Sequence, residues 1–246
     1  MATLGKRRAL PEKDRYVVKI FNYFTAMPIP EKYIADFEEE GIYHIYNRTN
    51  NKEPLFLNDE NRFFFLRKYK ELLSPFADTF CWCLLTNHFH LLIKMKSYKS
   101  IVAFLTTKPP TELTITEKRF IENKITFSEL AEQTFKRFFQ SYALAFNKMH
   151  NRQGNLFYKP FKRISIDKNA QFTMAIIYIH ANAMKHGLVK NFTEYLWSSW
   201  HTIISSKPTA LLRKEVIEWF GSLEECIKAH NEQSAYHYDC DVAIED

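Results

Sequence analysis

The sequence predicts an α+β fold: an antiparallel sheet with helices packed on one face, extended at both ends by further segments. Three observations carry this. The elements run in the order strand, helix, strand, strand, helix, strand, with one more helix behind them. Two apolar strand-like runs, Thr79–Thr86 and His88–Ile93, are separated only by the tight Thr86-Asn87 connection, which makes a hairpin. A long stretch from Ser128 to His150 repeats its apolar residues at helical spacing. This element order is the ferredoxin-like arrangement.

Residues 1–40 are polar and end in the acidic Asp36-Phe-Glu-Glu-Glu40, so they read as an N-terminal extension. Gly41-Ile-Tyr-His-Ile-Tyr46 alternates as a first strand and runs into the polar Asn47-Arg-Thr-Asn-Asn51, a loop able to offer donors to phosphate. Asp59–Leu73 is a helix, started by Asn58 or Asp59 and stopped near Ser74-Pro75. After the hairpin, a helix starting near Lys99 is broken by Lys108-Pro-Pro-Thr-Glu112. The rest of 97–128 lacks clear periodicity and reads as an inserted connection. In the 128–150 helix, Leu130, Phe135, Phe138, Phe139, Tyr142, Leu144, Ala145, Phe146 and Met149 supply the apolar pattern, and Gly154 suits its termination. Leu156–Ile166 is a strand, with Pro160 placing it at an edge or beside a bulge. Asp167 or Asn169 then caps a helix to about Lys185, before Gly187. The boundaries are 1–40 extension, 41–206 core domain and 207–246 C-terminal helical extension.

With 34 Lys and Arg against 28 Asp and Glu, the net charge is +6 and the pI about 9.0. That balance is compatible with a polyanionic partner without identifying one. Apolar residues make up 46% of the chain, enough for an ordinary buried core. No glycine-rich phosphate loop or dinucleotide fingerprint occurs. Cys81 and Cys83 share one face of a single strand, and Cys226 and Cys240 lack zinc-ligand spacing, so the four read as thiols of a reducing compartment. The basic N-terminus is followed by no signal-like apolar run, and no segment approaches a membrane span, so the cytoplasm is the expected location.

Chemistry concentrates at two places. In Asn87-His88-Phe89-His90 the histidines stand at i and i+2 of a strand, with Cα atoms roughly 6.5–7 Å apart, so both imidazoles can reach one cation. The plainer alternative is two half-buried histidines bonded to backbone. On the 169–185 helix, Tyr178 and Asn182 are four apart and His186 four further on, along one side. Tyr178 is a candidate nucleophile and Asn182 a candidate oxygen ligand, the alternative for Tyr178 being a core aromatic with a satisfied hydroxyl.

Four segments, in order, resemble the REP-associated tyrosine transposases, single-tyrosine enzymes with a His-hydrophobic-His metal motif. They are Gly41-Ile-Tyr-His-Ile-Tyr-Asn-Arg48, Leu85-Thr-Asn-His-Phe-His-Leu-Leu-Ile93, Asn151-Arg-Gln-Gly-Asn-Leu-Phe157 and Tyr178-Ile-His-Ala-Asn-Ala-Met-Lys-His-Gly-Leu-Val189. The similarity spans about 41–206, including Tyr195-Leu-Trp-Ser-Ser-Trp200. It implies that His88 and His90 are metal ligands, Tyr178 the nucleophile and Asn182 a polar group completing the metal site. Where the family has Asn-Pro, this chain has Asn182-Ala183, which should leave the helix less bent.

The resemblance further implies a transposase that cleaves and rejoins single-stranded, hairpin-bearing DNA through a 5′-phosphotyrosine, with Mg²⁺ or Mn²⁺ as cofactor. On affinity alone, two imidazoles would suit zinc or manganese equally. Arg48, Arg152, Lys159, Lys162, Arg163 and Lys185 flank the site in sequence and are the candidate DNA contacts, with Phe157, Tyr158 and Phe161 able to stack on bases. A replication-initiator or relaxase-like nickase would use the same residues, and a domesticated nucleic-acid-binding protein would keep the fold without cleavage. Both histidines and Tyr178 can meet within one chain, which favours a monomer over a homodimer.

Overall fold

The computed structural model describes residues 34–239. In chain order the elements are β1 (Ile42–Arg48), α1 (Asp59–Leu72), β2 (Ala77–Leu84), β3 (His88–Met95), α2 (Tyr98–Thr106), α3 (Ile115–Ile121), α4 (Phe127–Met149), β4 (Lys162–Ser165), α5 (Asn169–Lys185), α6 (Trp200–Ile204), α7 (Arg213–Phe220) and α8 (Leu223–Asp239). Single 3₁₀ turns occupy Asn50–Lys52 and Phe192–Glu194. The strands form one antiparallel sheet in the order β2-β3-β1-β4. This is the α+β, ferredoxin-like order expected from the sequence.

Local signals fix the helix ends. Asn58 caps α1, its side chain accepting from the Asn61 N–H at 3.0 Å, and Asp59 and Glu60 sit in the first turn where the helix dipole favours negative charge. Thr126 caps α4 in a reciprocal box with Glu129. The left-handed residue that ends α4 is Asn151, φ 48°; Gly154 lies further on in the loop and does not terminate the helix. At the end of α5, Gly187 does hold the left-handed conformation, φ 67°, and the Leu188 N–H returns to the Ala183 carbonyl at 2.9 Å.

Strand parity splits the interior into two layers. Ile45, Phe89, Leu91 and Ile93 face α1 and α4, where Phe65, Tyr69, Phe135, Phe138 and Tyr142 complete a largely aromatic core. Burying one such ring contributes about 1.5–3 kcal/mol. Cys81, Cys83 and Leu92 face the other way, onto Phe172, Ile176, Ile179 and Ala183 of α5. The helices of the ferredoxin-like unit thus share one face, and α5 covers the face they leave. Its sequence requires this: Met174, Ile177 and His180 are buried along with the sheet-facing residues, so α5 is enclosed on most of its circumference.

Three boundaries differ from the sequence reading. Phe37 is in the core, stacked on Phe135 at 5.3 Å, and the Tyr43 hydroxyl donates to the Asp36 carbonyl and accepts from the Glu38 N–H, so 34–40 belongs to the fold. Residues 1–33 lie outside the described residues, as does Cys240. The 97–128 segment is two helices, α2 and α3, around a small core of Phe76, Ile101, Leu105, Phe120 and Leu130. At only seven residues, α3 is too short to show a period. Finally, α7 and α8 are helical as expected but contribute Val216 and Cys226 to the α5 core, within one compact unit running from Ile34.

Candidate active site

The register of the sheet gathers one set of side chains under α5. His90 pairs with Tyr46 of β1 and with Cys83 of β2; His88 pairs with Arg48. Directly opposed residues share a face, so His44, Tyr46 and Arg48 stand on the side that carries His88 and His90. The two histidine rings are 5.2 Å apart, edge to face.

Each ligand candidate is oriented through its Nδ1. His88 Nδ1 bonds Asn87 Oδ1 at 2.7 Å, and His90 Nδ1 bonds His44 Nε2 at 2.9 Å. An amide oxygen can only accept, so His88 carries its proton on Nδ1 and its lone pair on Nε2. With His90 Nδ1–H donating to His44, the same holds for His90. Such outer partners fix the tautomer of a metal-binding histidine. His44 thus joins the candidate site as a residue that the sequence reading missed, although its position two before Tyr46 on an alternating strand was visible.

From α5, Tyr178 meets His90 edge to face at 5.7 Å and His44 at 5.9 Å, and the exposed His186 meets His88 at 4.7 Å. Asn182 lies one helical turn from each, on the side of α5 that faces both histidines. It is 0% exposed, and neither its Oδ1 nor its Nδ2 has a hydrogen-bond partner. An orphaned amide inside a protein costs about 1–3 kcal/mol, which is unusual unless something else uses it. Among the described residues no three His, Cys, Asp or Glu side chains are grouped to hold a metal ion. A cation here would take two imidazoles and the Asn182 oxygen, and that orphaned oxygen fits the role. α5 runs unbroken through Ala183.

The Lys185 ammonium lies 4.7 Å from the centroid of the Tyr178 ring. Two other tyrosines, Tyr142 and Tyr195, are engaged elsewhere. The Tyr142 hydroxyl donates to the Leu55 carbonyl at 2.8 Å in the aromatic core, where burial pushes its pKa up. Burial likewise raises Tyr195 to about 12, with its hydroxyl on the Leu84 carbonyl. Tyr158 is exposed, its ring 5.5 Å from the Arg48 guanidinium.

No family model and no curated protein matches the chain. The structure is similar to a solved REP-associated tyrosine transposase bound to a REP hairpin. The two are 15% identical, the match covers 72% of this chain and 88% of that one, and the TM-score is 0.47.

The basic residues nominated from sequence divide. Lys162 stands on the site face, its Nζ 5.4 Å from the Tyr46 ring, and Arg48 and Lys185 are beside it as described. Lys159 is exposed. Arg163, the next residue of β4, points through the sheet instead: it is 2% exposed, bonds the Ala35 carbonyl, and lies between the Phe37 and Phe161 rings. Its place is structural. Arg152 is held by Glu53 at 2.7 Å, by Asn147 Oδ1 and by the carbonyls of Gln153, Gly154 and Asn155, a clamp on the loop after α4. Phe157 and Phe161 are core residues and offer no face to a base.

Proposed function

We propose that the protein is a metal-dependent, single-tyrosine DNA transposase or endonuclease that cleaves and rejoins hairpin-bearing single strands. One observation carries the reading: Tyr178 stands against His90 and His44, one helical turn from a buried Asn182 amide with no protein partner. The substrate class and the 5′ polarity come from the four ordered motifs that resemble the REP-associated family.

Bound by His88 Nε2, His90 Nε2 and the Asn182 oxygen, Mg²⁺ or Mn²⁺ would supply Lewis-acid polarisation of a phosphoryl oxygen. The chain does the rest. Tyr178 Oη attacks phosphorus, the Oη–P bond forms as the P–O3′ bond breaks, the phenolic proton is lost, and the departing oxygen is released as a 3′-hydroxyl. The Lys185 ammonium sets positive charge against the ring as negative charge develops on the nucleophile. Asn87 and His44 hold the imidazoles in one tautomer. Arg48, Lys159 and Lys162 are the remaining candidates for phosphate contacts. The phosphotyrosyl bond keeps the energy of the bond it replaced, so a 3′-hydroxyl can reverse the step and join strands.

The test is Tyr178→Phe, which removes one hydroxyl and leaves packing nearly unchanged. Hairpin binding should survive while cleavage and the covalent adduct vanish. Mass spectrometry of the wild-type adduct should place the nucleotide on the peptide containing Tyr178. Normal cutting by the Phe variant, or an adduct on another tyrosine, overturns the assignment.

A further inference from the structure

On the side of α5 turned away from Tyr178, a chain of hydrogen bonds runs through three buried side chains. The Trp82 N–H donates to Ser199 Oγ at 2.9 Å, Ser199 Oγ bonds His180 Nε2 at 2.9 Å, His180 Nδ1 bonds His230 Nε2 at 2.9 Å, and His230 Nδ1 bonds the Cys226 carbonyl at 2.7 Å. Its two ends set its direction, because a backbone N–H only donates and a carbonyl only accepts. His230 therefore donates from Nδ1 and accepts at Nε2; His180 donates from Nδ1 and accepts at Nε2 from the Ser199 hydroxyl. Every polar atom of the three side chains is satisfied, with both rings neutral. Burial agrees with that state, holding His180 well below the ordinary histidine range and His230 at about 4.

Ser199, His180 and His230 superficially resemble a nucleophile with its base. Ser199 is 0% exposed and both donates and accepts within the chain, so no substrate reaches it. The geometry does something else. His180 is two residues from Tyr178 and two from Asn182, about 160° around the helix from both. Apolar packing against Phe172, Ile176 and Ile179 is non-directional and tolerates small rotations of α5. A one-way hydrogen-bond chain does not.

We propose that His230 on α8, acting through His180, is a positioning residue that fixes the rotation of α5 and so aims Tyr178 and Asn182 at the β3 histidines. This rests on the function proposed above. It gives the C-terminal helices a part in the chemistry, although α8 lies on the far side of α5 from Tyr178.

The experiment compares His230→Leu with His230→Gln in the full chain. Glutamine offers an oxygen to the His180 N–H and an N–H to the Cys226 carbonyl; leucine offers neither. Two readouts are taken where circular dichroism shows each variant folded. The first is the single-turnover rate of adduct formation at saturating hairpin, beside the hairpin Kd. H230L should be slower by roughly tenfold or more with Kd within about twofold, as expected of a misaimed nucleophile, and H230Q should recover most of the rate. The second is the ¹⁹F resonance of fluorotyrosine placed at 178, which should shift or split in H230L and coincide with wild type in H230Q. A wild-type rate and a wild-type resonance in H230L would reduce the chain to packing and overturn the proposal. If the wild-type protein forms no adduct, the proposed function falls while the ¹⁹F comparison still decides the positioning. Should H230L not fold, Ser199→Ala against Ser199→Thr poses the same question from the other end of the chain.

Discussion

Asn182→Leu should make the protein more stable and useless. Both amide atoms of Asn182 are buried without hydrogen-bond partners. Replacing them with carbon removes about 1–3 kcal/mol of unmet desolvation, and the shared heavy-atom count and branching at Cγ limit overpacking. At roughly 2–4 °C per kcal/mol for a chain of this size, the melting temperature should rise by roughly 2–12 °C in chelator. Adding Mg²⁺ or Mn²⁺ should then narrow or close the gap between the two proteins. A cation that binds only the folded wild type stabilises it by about 2.7 kcal/mol at a hundredfold excess over its Kd, while N182L should gain little. The double variant His88→Ala, His90→Ala supplies the control, losing the cation response without the stability gain. Differential scanning calorimetry in chelator and in each cation measures all of this without any DNA. If N182L melts below wild type in chelator, Asn182 has partners that matter to the fold; if it keeps the full cation response, it is not a ligand.

Affinity for a hairpin-bearing single strand should exceed that for a blunt duplex of equal length and fall steeply with salt, measured by fluorescence anisotropy across a salt series. Arg48→Ala or Lys162→Ala should flatten that slope, whereas Arg163→Met should not; equal affinity for duplex would count against the substrate class. Stability should also depend on His230, whose folded pKa of about 4 lies below the ordinary 6.5. A depressed histidine contributes stability that is full above 6.5 and lost as pH falls towards 4, which amounts to about 2 kcal/mol between pH 7 and pH 5. Urea unfolding should show a shallower fall over that window in H230L, and parallel profiles for the two proteins would contradict the burial argument.

What the sequence disclosed about this molecule was what depends on near neighbours. The cap at Asn58, the glycine after α5, the helical spacing of Phe135, Phe138 and Tyr142, and the pairs His88/His90 and Tyr178/Asn182 are all relations between residues a few positions apart, and each has a geometric consequence that holds before any tertiary structure exists. The positions it misplaced turn on partners far away in the chain. Arg152 is claimed by Glu53, 99 positions earlier, and Arg163 by the Ala35 carbonyl 128 earlier. Lys162 and Arg163 look equivalent as a basic pair, yet adjacent strand residues face opposite ways, and only the register of β4 on β1 decides which one meets the site. His44 needed the pairing of β1 with β3, and the His180–His230 bond joins residues 50 apart on helices whose own patterns say nothing of each other. Charge is thus the least transferable of the sequence signals here. A lysine or arginine near a motif serves DNA only if no carboxylate or carbonyl elsewhere in the fold has already taken it, and for two of the six basic candidates the fold had done so.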